Sequence, residues 1–326
     1  MVSRRLDHLE LYVRIARTLA ATAVRRTTRG PRQPSWSLPY ETMISVLRDL
    51  FTADFFERLP GRRNIFQAGS SILRRSRSDA EEFTIAGRRA LWLGGAHDRG
   101  VVLYLHGGGY VFGSIKTHRS LMTVLARAGQ CRVLGIDYRL APEHPCPAAI
   151  DDAVAGYEHL LELYDASEIV IAGDSAGGGL TVTTMLALRE RGLPLPAAAV
   201  LLSPWTDLRT DAGVPPDLGY DYLKPAPGWG QPYAGSLDTS DPRVSPVLAE
   251  LSGLPPMLVL SGALELLLDD NIAFVEAARR AGCDVEHHVE PEQVHVYPAF
   301  FQFNRAARAG VSQIGEFVRR RLSRQS

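Results

Sequence analysis

Residues 173–178 read Gly-Asp-Ser-Ala-Gly-Gly, between the apolar run 169–172 and the periodic stretch 180–188. That is the pattern of a short buried strand turning at once into a helix. Gly173 and Gly177 flank Ser175, so strand and helix can approach closely while the serine takes a strained backbone with its hydroxyl exposed. Small residues are common enough for the run to arise by chance, so the reading rests on partners elsewhere.

A serine hydroxyl needs a base within hydrogen-bond reach, and the base needs a group to orient it. On a parallel sheet with this turn the partners follow the serine, acid first and histidine last. Downstream histidines are His287, His288 and His295. The first two fall inside an expected strand at 285–289, whereas His295 lies in a loop before the last helix and is the preferred base. For the acid, Glu265 comes directly off the strand 257–262. Asp269 is the alternative, but Asp269 and Asp270 stand where a helix N-terminus favours carboxylates. Upstream, the strand 101–105 ends in His106-Gly107-Gly108-Gly109-Tyr110, whose backbone N–H groups can face a developing negative charge. No Gly-Lys-Ser/Thr follows, and no GxGxxG register opens a helix, so a phosphate loop is not indicated. His106, beside the glycines, reads as structural.

These residues need a scaffold. The chain has 326 residues, with 36 Lys plus Arg against 36 Asp plus Glu, so no global field points to nucleic acid. Cys131, Cys146 and Cys283 show neither a disulfide nor a zinc spacing, and a reducing cytoplasm is the default. Residues 1–33 carry eight arginines against Asp7 and Glu10, a net of +6, on an amphipathic pattern formed by Leu6, Leu9, Tyr12, Val13, Ala16, Leu19, Ala20 and Ala23. Such a helix either packs its apolar stripe on the body, the preferred reading, or lies on an anionic membrane surface. A second helical pattern (Met43, Val46, Leu47, Leu50, Phe51) can continue through Phe55, Phe56 and Leu59, and 62–79 reads as a connection. Strands then begin: a hairpin around Gly87, then 101–105, 132–137, 169–172, 197–203, 257–262 and 285–289. Helices are expected at 148–164, after Ser175, at 270–281 and from Pro298 to Arg320. The β-α-β-α order predicts an α/β fold with a mostly parallel, doubly wound sheet. In the proline-rich loop after 137, Arg139 and Glu143 are a candidate bracing pair. Residues 204–256 break the rhythm with many Pro, Gly, Asp and aromatic residues, as an insertion over the active face would.

Taken in order, HGGGY at 106–110, YRLAPE at 138–143, GDSAGG at 173–178, SPWTDL at 203–208, DPRVSP at 241–246 and VHVY at 294–297 resemble the hormone-sensitive-lipase-like family of carboxylesterases within the α/β-hydrolase fold. HGGG and GDSAGG lie 69 residues apart (175 minus 106), and the resemblance covers about 83–322. It implies a cofactor-free, metal-free serine esterase acting on small short- to medium-chain esters. Ser175 would be the nucleophile, His295 the base and Glu265 the acid, with oxyanion N–H groups from Gly107, Gly108 and Ala176. It also implies an N-terminal helical cap segment (1–82) and a catalytic domain (83–326) with a cap insertion at about 204–250. Where the family shows Asp-Pro-Leu-x-Asp, this chain has Glu265-Leu266-Leu267-Leu268-Asp269, and Cys146 stands where phenylalanine is usual. The same apparatus would serve an amide or lactone hydrolase, and a hydrolase scaffold can also survive as a non-catalytic binding protein.

Overall fold

Strands that read as unbroken apolar runs are those buried on both faces. The computed structural model describes residues 2–51, 80–94, 99–209, 217, 219–224 and 228–322, with backbone alone for 2–11 and 14. In it β3 (Val101–Leu105), β5 (Ile169–Asp174), β6 (Ala198–Leu202) and β7 (Met257–Gly262) are buried at every position. Side chains alternate across the sheet with period two. Val101, Leu103, Leu105, Ile169 and Ile171 therefore enter one core, while Val102, Tyr104, Val170 and Ala172 enter the other.

With β1 (Ala80–Ile85), β2 (Arg88–Leu93), β4 (Arg132–Ile136) and β8 (Val285–Glu290), the eight strands run in the order β1-β2-β4-β3-β5-β6-β7-β8. β2 is antiparallel to both neighbours, and every pair from β4 to β8 is parallel. The hairpin turns on Ala86 and Gly87, both at positive φ (48° and 76°), which suits the twist of a two-residue loop. This sheet and its flanking helices bear out the expected α/β-hydrolase architecture.

The helices are α1 (Val2–Arg29), α2 (Leu38–Leu50), α3 (Ile115–Gly129), α4 (Ala148–Leu161), α5 (Ala176–Glu190), the short α6 (Gln231–Ala234), α7 (Leu268–Arg280) and α8 (Arg305–Arg321). The sequence reading passed over α3, although Ser114 and Thr117 close a reciprocal capping box at its start. The last helix begins later than expected. A 3₁₀ turn, Tyr297–Phe300, comes first, and Asn304 then caps α8 by accepting from Ala306 N–H at 2.9 Å. The Phe55–Leu59 extension of α2 and the 62–79 connection lie outside the described residues.

The N-terminal segment splits in its role. Trp36, Tyr40 and Ile44 belong to the core shared with β3 and α8. Trp36 Nε1 donates to Glu292 O at 2.6 Å and Tyr40 OH to Gln293 Oε1 at 3.2 Å, so α2 braces the loop that carries His295. In α1 the amphipathic stripe points the other way from the preferred expectation. Thr22 is buried and Arg25 and Arg26 pair with the fully buried Glu41, while Tyr12, Val13, Ala16, Leu19 and Ala20 are exposed. The loop after β4 is braced by Arg139, but through Asp152 on α4, with Nε at 2.9 Å from Oδ2, and not through the four-residue spacing to Glu143.

The strand-to-helix turn is the tightest junction in the sheet. A Cβ on Gly177 would stand 2.0 Å from Leu105 O, and one on Gly173 would stand 2.2 Å from Gly177 O. Backbone cannot yield there as a side chain could. Gly177→Ala should therefore destabilise the protein by about 3 kcal/mol, the upper range for overpacking a filled site. Urea unfolding midpoints of variant and parent measure it.

Candidate active site

β5 runs straight into α5, and Ser175 is the residue between them, at φ 54° and ψ −121°. A non-glycine residue at positive φ is strained, and the surrounding bonds hold it there. Ser175 N–H donates to Leu202 O at 2.8 Å, and Ser175 O accepts from Trp205, Gly178 and Gly179 N–H at 2.9, 2.9 and 3.1 Å. The side chain stands at the carboxyl end of the central strands, half-buried, where open α/β sheets place their ligands.

Glu265 follows β7 and His295 follows β8, both beside that end of the sheet; they are 5% and 2% exposed. Ser203, at the end of β6 and itself at positive φ (47°), links the two loops. Its Oγ donates to Glu265 Oε2 at 2.6 Å and accepts Val296 N–H at 2.9 Å. Gly262 N–H adds a second bond to Oε2 at 2.7 Å. Three atoms are left over: Glu265 Oε1 and both ring nitrogens of His295 are buried and have no hydrogen-bond partner among the described residues. Buried polar atoms are normally paired, so three such atoms on the two residues singled out for acid and base call for a functional explanation.

Burial governs the charges. It lowers the His295 imidazole to about 3, with Asp174 pulling weakly the other way, so the ring is neutral at physiological pH. Burial raises Glu265 to about 8 against the bonds from Ser203 and Gly262, with Asp221 and Asp270 raising it further. Asp270 and Asp269 occupy the first turn of α7, and burial pushes Asp270 up to about 7.

The glycine loop is locked to the nucleophile strand by Asp174. Its Oδ1 accepts Tyr104 OH at 2.6 Å and Gly107 N–H at 3.0 Å, and its Oδ2 lies 3.2 Å from His118 Nε2. This corrects one expectation: the Gly107 N–H is engaged within the fold and is not free to face an oxyanion. Gly108 (φ 124°) and Gly109 (φ 59°) come next, and neither N–H has a partner among the described residues. The Ala176 N–H, first in α5, has no partner within the helix. His106 is structural as read: Nδ1 is 2.9 Å from Gly107 O, the ring stacks on Tyr138 at 4.2 Å, and burial lowers it to about 3.

Sequence reasoning missed Ser203, the Tyr104–His118–Asp174 cluster and Asp221. The first two lie within or beside recognisable motifs. Asp221 comes from the insertion, with no periodicity to mark it, yet its carboxylate reaches both catalytic loops. Above them, Phe51, Phe112, Tyr222, Leu223, Trp229 and Leu266 form one apolar cluster. Tyr222 meets the His295 ring edge-on at 5.9 Å.

Comparison with known proteins bears on the fold and the family. A family model described as alpha/beta hydrolase fold matches residues 102–299. An acetyl-hydrolase of Streptomyces hygroscopicus is 39% identical over 242 residues, 72% of this chain and 81% of that protein. An esterase of Acinetobacter venetianus is 35% identical over 224 residues, 67% of this chain and 74% of its own. A crystal structure of an esterase from the bacterial hormone-sensitive lipase family superposes with a TM-score of 0.76 at 36% identity, covering 95% of this chain and 98% of that one.

The raised Glu265 carries a stability consequence. Its folded value of about 8 lies above the ordinary 4.5, so the stability it contributes is full below 4.5 and is lost as pH rises through about 8. Glu265→Gln, which cannot ionise, should gain stability relative to the parent on going from about pH 6 to about pH 9. Urea midpoints at the two pH values give the comparison.

Proposed function

The chain belongs to the hormone-sensitive-lipase-like esterases of the α/β-hydrolase fold, and from that premise we propose that it cleaves short- to medium-chain carboxylic esters through Ser175, His295 and Glu265. It is a carboxylic ester hydrolase; the residue roles and the chain length are the proposal. What supports the roles is that Glu265 Oε1 and both His295 ring nitrogens are buried with no hydrogen-bond partner among the described residues, on loops at the same end of the sheet as a serine at positive φ.

In this reading Ser175 Oγ attacks the ester carbonyl carbon while its proton passes to a neutral His295 ring nitrogen. The carbonyl π electrons move to oxygen, and the N–H groups of Gly108, Gly109 and Ala176 stabilise the oxyanion. As the tetrahedral intermediate collapses, the C–O bond to the alcohol breaks and His295 returns the proton to the departing oxygen. Water, deprotonated by His295, then attacks the acyl carbon; as the second tetrahedral intermediate collapses, the C–Oγ bond breaks, His295 returns its proton to Ser175 Oγ and the carboxylic acid leaves. Glu265 stabilises the imidazolium at each of the two attacks. Burial favours a neutral His295 as base, and the imidazolium brings Glu265 the counter-charge that its ionised form needs.

The aromatic cluster supports a short acyl or alcohol chain, because Phe51 meets Phe112 at 5.8 Å and Tyr222 at 5.6 Å, leaving rings on the apolar side of the site. The acetyl-hydrolase among its relatives lies at the same end of the scale. With p-nitrophenyl esters from acetate to palmitate, kcat/KM should be highest for the shorter acyl groups and fall about tenfold or more by palmitate. Ser175→Ala and His295→Ala should each lower kcat by about 10⁴-fold or more, with substrate binding retained. A Ser175→Ala enzyme with parental turnover would refute the assignment.

The exposed stripe of α1 favours peripheral binding to anionic membranes as an additional property. Tyr12, Val13, Leu19 and Val24 are 54%, 48%, 43% and 66% exposed, in a segment of net charge +6. Apolar area and positive charge on one helix both favour an anionic lipid surface. None of the helices, among the described residues, is long and apolar enough to cross a membrane. Full-length protein should co-sediment with phosphatidylserine-containing vesicles at low salt, and a version lacking residues 1–33 should not; equal sedimentation of the two would reject the idea.

A further inference from the structure

The insertion after β6 sends one buried carboxylate down to the catalytic loops. Asp221 is 5% exposed. Its Oδ1 accepts Tyr222 N–H at 2.8 Å and His295 N–H at 3.3 Å, and its Oδ2 accepts Leu266 N–H at 2.8 Å. Leu266 is the residue after Glu265. One side chain thus bonds the backbone of the base and of the residue next to the acid. The segment that carries Asp221 is itself held from α2, where Arg48 donates to Asp221 O and pairs with Asp217.

The sheet does not require this carboxylate. The acid and histidine loops are already joined by Leu264 N–H to Gln293 O at 2.8 Å, and Ala263 N–H bonds Glu290 O at 2.9 Å. What Asp221 adds is a constraint at the two residues nearest the chemistry, delivered from outside the catalytic sheet. A carboxylate with two oxygens can hold two loops at a fixed separation, and burial ensures that water does not compete for those N–H groups.

We propose that Asp221 is a positioning residue that sets His295 against Glu265, so that seating of the insertion by α2 completes the triad. The proposal rests on the Ser175-His295-Glu265 reading, and the Ser175→Ala test stands apart from it. If Ser175→Ala keeps full turnover, the triad reading fails whatever Asp221 does.

The test compares Asp221→Asn and Asp221→Ala with the parent, on the full chain and a short p-nitrophenyl ester. Misplacement by about 1 Å can cost on the order of 10²-fold in rate. Asp221→Ala should therefore lower kcat by about that factor with KM within about twofold, and Asp221→Asn, which keeps one acceptor oxygen, should recover part of the loss. Fluorophosphonate labelling separates positioning from folding. The final stoichiometry at Ser175 counts folded sites and should stay at the parental level, while the labelling rate should fall with kcat. Two outcomes overturn the proposal: kcat and labelling rate unchanged in both variants, or a loss of activity matched by an equal loss in final stoichiometry. Should neither variant fold, Arg48→Gln loosens the segment without touching a buried carboxylate. It should lower kcat and labelling rate at constant KM, and parental values would equally overturn the idea.

Discussion

The Asp174 carboxylate is the interaction on which the catalytic face depends. It precedes the nucleophile by one residue and gathers Tyr104 from β3, Gly107 from the glycine loop and His118 from α3. Burial opposes charge on both Asp174 and His118. Even so, Asp174 holds His118 above its ordinary value, while His118, Tyr104 and Gly107 hold Asp174 below its own. A buried carboxylate with both oxygens satisfied by hydrogen bonds tolerates burial where an unpaired one would not. The consequence is geometric: the loop that presents Gly108 and Gly109 is fixed to the strand that presents Ser175, so the proposed oxyanion donors and the proposed nucleophile share one rigid frame.

A second frame holds His295 and Glu265, the proposed base and acid, and it is built from longer-range contacts. Ser203 joins the Glu265 and Val296 positions from β6, α2 braces residues 292 and 293, and Asp221 enters from the insertion. The two frames meet along the β5–β6 edge, where Ser175 N–H bonds Leu202 O immediately before Ser203. Sheet registry therefore relates the two frames, and the loops make the finer adjustment.

This division explains what could be read in the sequence. The nucleophile turn, the glycine loop and the parallel sheet are encoded by residues adjacent in the chain, where glycine spacing and apolar runs have a direct physical meaning. Asp221 bonds residues 45 and 74 positions away, and no local pattern announces such a contact. Arg139 shows the same limit on a smaller scale: the four-residue spacing to Glu143 suggested a partner, yet the guanidinium reaches thirteen residues on to Asp152. The amphipathic period of α1 was legible, but not which face meets the body. There, Arg25 and Arg26 reaching the buried Glu41 outweigh the apolar stripe in orienting the helix.

Burial serves the proposed chemistry in opposite ways on its two titrating members. It keeps His295 neutral, ready to accept a proton, and it makes an ionised Glu265 costly while one of its oxygens has no partner among the described residues. Only interactions stronger in the transition state than in the resting enzyme accelerate a reaction. In the proposed step, proton transfer from Ser175 creates the imidazolium whose charge favours the ionised form of Glu265, so the attraction between the two grows as the barrier is climbed. A site in which both groups were already charged and paired would spend that attraction in the ground state. The glutamate that departs from the family pattern is compatible with this logic, because its side chain is anchored through one oxygen by Ser203 and Gly262 while the other has no partner among the described residues.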